Sequence, residues 1–280
     1  MKKIIPWEGP VLKRWVASIE QCIQLLQLSV RAISKLPHEI PLLEAVHNLE
    51  SLKAEYAGKQ QPSREDIDRA KELVKFAEEE RLNGFPLLHA HALTDLWSIL
   101  EATIEDLLVA NLLNEPETLG HETFSKIRIP LSEFQTLDEE ERMRFVLSEF
   151  SRNQGAERRK GVERFEVLLE PFGLAGPVED GVRKIIWEIQ NVRNVLVHRA
   201  GVADRKFVQA CPWLNLSVGD RVTINRESFD RYYHALSEYG TLLVFRIGEK
   251  QGLDVRGAMQ PDCEAKSKEE HKGALPSGEI

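Results

Sequence analysis

Cysteine is scarce in this chain: three residues in 280, at positions 22, 211 and 263, all far apart and none in a C-x-x-C pair. That spacing supplies neither a disulfide framework nor a zinc site, and it fits a chain kept in a reducing cytoplasm. Long apolar runs are missing too. The opening stretch MKKIIPWEGP has two lysines but no run suited to a secretory signal, and no segment reaches the length of a bilayer span, so neither export nor membrane insertion is expected. There is no internal repeat, no glycine-rich phosphate loop, no G-x-S-x-G elbow and no H-E-x-x-H, which removes the common signatures of nucleotide, serine and zinc chemistry. Positive charge is the minority, with 37 Lys and Arg against 45 Asp and Glu and a net charge of −8. Proteins that coat nucleic acid without sequence preference carry the opposite balance, because phosphate neutralisation supplies their affinity. A locally basic site stays open at 152–164 or at 193–206, where the bland alternative is a solvated helix end.

What is present reads as a soluble all-α chain, 42% hydrophobic and 29% charged. Apolar residues at helical spacing mark a helix from Pro10 to Lys35, which Pro37 is expected to stop, and a second from Pro41 to Tyr56. A third starts at Ser63 with acids in its first turn and ends near Leu82 at Asn83-Gly84. Further helices are expected at 86–113, 137–150 and 161–170, and from Arg226 to about Gly248 behind an Asn225 cap. Val218 and Val222 to Ile224, around Gly219-Asp220, read as a small β-hairpin. From Lys250 onward the chain is polar and aperiodic, a tail expected to be disordered. The implied layout is an N-terminal helical extension at 1–84, a helical domain at 85–249 and the tail at 250–280.

The helix at 86–113 is the most apolar. Leu93, Leu96, Trp97, Leu100, Ile104, Leu107 and Leu108 form a broad core face. Glu101 lies at its margin, where an ionised carboxylate needs a cation or donors unless it reaches water. Arg193 is the expected partner. His89 and His91 point to nearly opposite sides and no third ligand is in register, so no metal is expected there.

The segment Glu188 to Asp204, EIQNVRNVLVHRAGVAD, packs a fixed cation, a carboxamide and an imidazole into six residues of an otherwise apolar helix. Ile185, Ile189, Val192 and Leu196 make its stripe. At roughly 100° per residue, Asn191, Asn194 and His198 share the opposite face, and Arg193 sits about 140° round from His198. Gly201 lies just beyond, where a left-handed residue commonly ends a helix. His198 is therefore expected in or near the last turn, where the helix dipole favours a cation. By residues alone the cluster has a structural use as well: Asn194 and His198 can bond each other on a solvated face, and Arg193 can pair with Glu101.

An arginine, a polar residue, a short gap and a histidine on a late helix, with an earlier helix carrying an embedded glutamate (LWSILEATIEDLL), the RAG and AD after the histidine and a closing helix, resemble the HEPN superfamily over residues 86–248. The resemblance implies an HEPN-like helical bundle. It implies metal-independent endoribonuclease activity with no cofactor, Arg193, Asn194 and His198 as catalytic residues and Glu101 in support. It also implies a homodimer, and a place in a bacterial toxin-antitoxin or anti-phage defence system with an antitoxin or other protein partner. The alternative within the same family is a catalytically silent interaction or RNA-binding module. Arg199, Arg205 and Lys206 are the candidate RNA-binding cations. The chemistry suits the residue types. The ribose 2′-hydroxyl is a nucleophile already in the substrate, an imidazole exchanges protons near neutrality, and a guanidinium offers a planar fork to phosphate.

Overall fold

The structure, a computed structural model, describes residues 8–58, 64–253 and 255. Among them the chain is all-α, with helices α1 (Glu8–Tyr56), α2 (Glu65–Leu82), α3 (Pro86–Asn114), α4 (Leu131–Phe134), α5 (Glu139–Gln154), α6 (Glu163–Leu169), α7 (Asp180–His198), α8 (Arg205–Ala210) and α9 (Arg226–Lys250), joined by loops and single turns of 3-10 helix. No helix among these residues is long and apolar enough to cross a membrane.

α3 is the centre of the molecule and packs against α1, α5, α7 and α9. Pro86 opens it in the first turn, where a missing N–H costs nothing. Leu93, Leu96, Trp97, Leu100, Ile104, Leu107 and Leu108 are all buried, as their spacing predicts. α9 crosses α1 where Gly240 lies under Trp15, and a Cβ on that glycine would come within 2.0 Å of the indole ring. We expect Gly240→Ala to cost about 1–3 kcal/mol by overpacking. Chemical denaturation should show most of that loss recovered when Trp15 is cut to Leu.

Two expectations are corrected. Pro37 and Pro41 do not divide the first helix: α1 runs through both. An interior proline removes one hydrogen bond and crowds the turn before it. Here the helix survives because its two halves are held laterally, by α3 and by α2. The expected hairpin does not form either. Ser217 to Asp220 makes a tight turn, with the Asp220 side chain accepting from the Ser217 N–H, and the chain beyond it pairs with residues 201–203 through a single antiparallel bridge between Val202 and Arg221. Ala203 donates to Asp220 and Val222 donates to Gly201, both at 2.8 Å, so long-range contact displaces the local pairing. Gly201 is left-handed after α7, as expected, and Ala200 before it is left-handed too. α8 lies in a stretch to which the periodicity assigns no element. The expected start at Ser63 and nearly all of the expected tail from Lys250 lie outside the described residues, as does Cys263; the other two cysteines are buried and free.

The loop leading into α7 is fixed to α9 by a buried ionic cluster. Arg246 donates to Glu166 at 2.8 and 3.1 Å and to the carbonyls of Leu174 and Pro177, while Tyr239 and the Gly176 N–H also donate to Glu166. Every acceptor of that carboxylate is used, so the entry to α7 is held in one place.

Candidate functional site

α7 starts at Glu179, whose carboxylate accepts from the Val182 N–H at 3.0 Å. Those donors, first the Gly181 and then the Val182 N–H, hold the carboxyl below its usual range. Val182, Ile186, Ile189, Val192 and Val195 face the core. Glu188, with no exposure at all, accepts from Trp213, Tyr232 (2.6 Å) and both terminal nitrogens of Arg231. Burial alone would push its carboxyl up, but these donors outweigh burial and hold it below the ordinary value. The same burial, aided by Glu188, drives the Cys211 thiol up to about 12. Gln190 accepts from the Gly161 N–H at 2.6 Å. A Cβ on Gly161, which is left-handed, would meet the Trp187 backbone at 3.0 Å, so only glycine permits this approach.

α7 ends on His198. The chain then turns back, and Asp204 caps α8 by accepting from the Phe207 N–H at 2.8 Å while its second oxygen lies 3.4 Å from Arg199 Nε. The result is a shallow pocket of about 320 Å³ lined by Asn191, Asn194, His198, Arg199, Asp204 and Lys206, over Val195 and Phe207. Asn191 is buried and spends its amide nitrogen on the Trp187 carbonyl at 2.8 Å. No hydrogen bond joins Asn194 to His198 among the described residues, so both remain open toward the pocket. Two cations, an exposed imidazole and two carboxamides can hold an anion and move a proton at one place.

The remaining expected site residues lie elsewhere. Arg193 is half-buried, does not line the pocket, and its buried Nε has no hydrogen-bond partner among the described residues. The expected pair of Glu101 with Arg193 is replaced by Glu101 with Arg164 at 2.7 Å, both partly buried, and that guanidinium also lies 5.7 Å from the centre of the Trp97 ring. α6 brings a cation to the margin of α3 before α7 can. Arg205 is exposed on α8 but is not among the pocket residues. The basic stretch 152–164 is largely absorbed in structural contacts: Arg152 with Glu149, Arg164 with Glu101, and Lys160 over the Trp187 ring. We expect a double-mutant cycle between Glu101 and Arg164 to give a coupling of about 1 kcal/mol. The cycle between Glu101 and Arg193 should give none, as read by urea denaturation.

No family model, no curated protein and no solved structure matches the chain. Sequence reasoning missed Asp204 as the residue that sets Arg199 and α8, although Asp followed by a short apolar-periodic run is a cap signal. It also passed over Glu188, a carboxylate between Ile186 and Ile189 that called for a cation.

Proposed function

We propose that the chain is a metal-independent endoribonuclease of HEPN type acting at the pocket where α7 ends. The observation that supports this most is that His198 and Asn194, neither spent on a side chain among the described residues, share one concave surface with Arg199 and Lys206. In this reading the two cations hold the scissile phosphate. His198 takes the proton of the 2′-hydroxyl as its oxygen bonds to phosphorus, or returns a proton to the departing 5′-oxygen as the P–O5′ bond breaks. The products are a 2′,3′-cyclic phosphate and a 5′-hydroxyl end. One imidazole cannot do both in one step, so the reading includes a homodimer in which two such pockets cooperate across a two-fold axis. A role in toxin-antitoxin or anti-phage defence, with a protein partner, belongs to the same proposal.

The test is incubation of the purified protein with total RNA and excess chelator. Fragments with cyclic phosphate ends, and light scattering that gives a dimer, are the expected results; no cleavage, or cleavage only with a divalent ion, ends the proposal. A second reading, a silent RNA-binding or interaction module, is favoured by one observation: Arg193 stands off the pocket. Arg199→Lys separates the two, since Arg199 is the pocket's arginine. A phosphate-clamping arginine loses most activity when its fork is removed with the charge kept, whereas in a silent module RNA binding stays unchanged and there is no activity to lose.

A further inference from the structure

A second cleft lies on another part of the molecule, between α1, the turn joining α2 to α3, and the start of α9. It has a volume of about 530 Å³, within the range of roughly 300–1,000 Å³ that small-molecule sites occupy. Its walls are Ile23, Leu26 and Val30 from α1 with Phe85, Phe229 and Tyr233 opposite. One polar side chain on this wall is out of place. His89 is 6% exposed, its ring packs 5.0 Å from that of Phe229, and its Nδ1 is buried with no hydrogen-bond partner among the described residues. Buried polar groups are ordinarily satisfied, and one left unpaired costs stability. Burial lowers the His89 pKa against the Phe85 and Gly84 carbonyls, which raise it, and so favours the neutral ring, which carries one acceptor nitrogen. At the rim, Arg226 is paired to Asp230 at 3.7 Å, while Arg31 is exposed and makes no ion pair among the described residues.

We infer that this cleft binds a small aromatic acid: a flat ring system between the α1 aliphatics and Phe229, a ring N–H or hydroxyl donated to the His89 imidazole, and a carboxylate at Arg31. Each part of the ligand answers a feature of the wall. The apolar faces take the rings, the unpartnered imidazole takes a donor, and the free guanidinium takes the anion. A purely aliphatic ligand would leave the imidazole as it is.

Isothermal titration calorimetry on the full chain with three probes tests this. Indole-3-acetate supplies ring, N–H and carboxylate. 1-Naphthaleneacetate keeps ring and carboxylate without the donor, and indole keeps ring and donor without the acid. Indole-3-acetate is expected to bind most tightly, with each of the others weaker by about tenfold, the value of roughly 1.4 kcal/mol. His89→Phe should abolish the difference between the two acids, and Arg31→Glu should weaken both acids while leaving indole unchanged. Leu26→Trp, filling the cleft from its half-buried wall, should abolish binding of all three in a protein whose circular dichroism melt is intact. If His89→Phe does not fold, His89→Gln carries the same test, since its affinity for indole-3-acetate should fall between wild type and the tenfold weaker level of 1-naphthaleneacetate. Absence of heat with indole-3-acetate at millimolar concentration, or binding indifferent to the His89, Arg31 and Leu26 changes, overturns the assignment.

Discussion

His198→Ala is expected to lower RNA cleavage by about 10²–10⁴-fold, the usual contribution of a positioned general acid or base. Stability should change by about 1 kcal/mol or less, as for ordinary surface changes. The two effects separate because His198 is exposed at the last residue of α7 and spends nothing on packing. The neighbours grade the result. Lys206→Ala and Arg199→Ala should weaken RNA binding and flatten its salt dependence, since each removes one phosphate contact. Asp204→Ala should disturb both site and fold, because it loses the cap on α8 as well as the partner of Arg199. A typical cap contributes about 1 kcal/mol. Single-turnover cleavage with chelator present, beside urea denaturation of each variant, gives the comparison. Wild-type rates from the His198→Ala protein would remove the imidazole from the chemistry and leave the interaction-module reading.

What was legible in the sequence was legible locally. The core face of α3 and the shared face of Asn191, Asn194 and His198 follow from period alone, because a helix fixes side-chain direction within a few residues. The Asn225 cap of α9 is visible for the same reason, and the structure has its side chain accepting from the Ser228 N–H. The misreadings all involve a distant competitor. Pro37 and Pro41 look like a stop until α2 and α3 are seen to hold the two halves of α1. Val222 to Ile224 look like one arm of a hairpin until the segment 201–203, about twenty residues back, takes the Val222 N–H and pairs with Gly219 and Asp220. Glu101 called for a cation and received one, but nothing in the sequence ranked Arg164 above Arg193, since that choice depends on how α6 and α7 are set around α3. Glu188 was legible in principle. A carboxylate flanked by Ile186 and Ile189 on a helix that packs against others announces a buried charge, and its donors come from Trp213, Arg231 and Tyr232, residues 25 to 44 positions away.

Glu188→Ala is expected to be the most destabilising single change in the α7 region, costing on the order of 3–5 kcal/mol, the usual consequence of breaking a buried charge pair from one side. The truncation strands the Tyr232 hydroxyl and the Trp213 N–H without an acceptor, while Arg231, 42% exposed at its side chain, recovers water. Arg231→Ala should therefore cost less than Glu188→Ala, even though it opens the same ion pair. Glu188→Gln keeps one acceptor and the volume, and should fall between the two. The pH dependence follows from the sign of the shift. The folded-state carboxyl of Glu188 lies below its unfolded value, so its ionised form is favoured by folding. The stabilisation is fully present above the unfolded pKa of about 4.3 and is lost as pH falls through the folded one. The gap between wild type and Glu188→Gln, measured by urea denaturation, should hold steady from about pH 6 to 8 and close below about pH 4. A gap of equal size at pH 3 and pH 7 would mean that the carboxylate charge contributes nothing and that shape alone matters there. The same contact reaches the pocket, because Trp213 follows directly on α8, which carries Lys206 and Phe207. Loosening Glu188 should thus lower RNA cleavage in step with the stability loss, and cooling or added osmolyte should restore both together, which no substitution of His198 would allow.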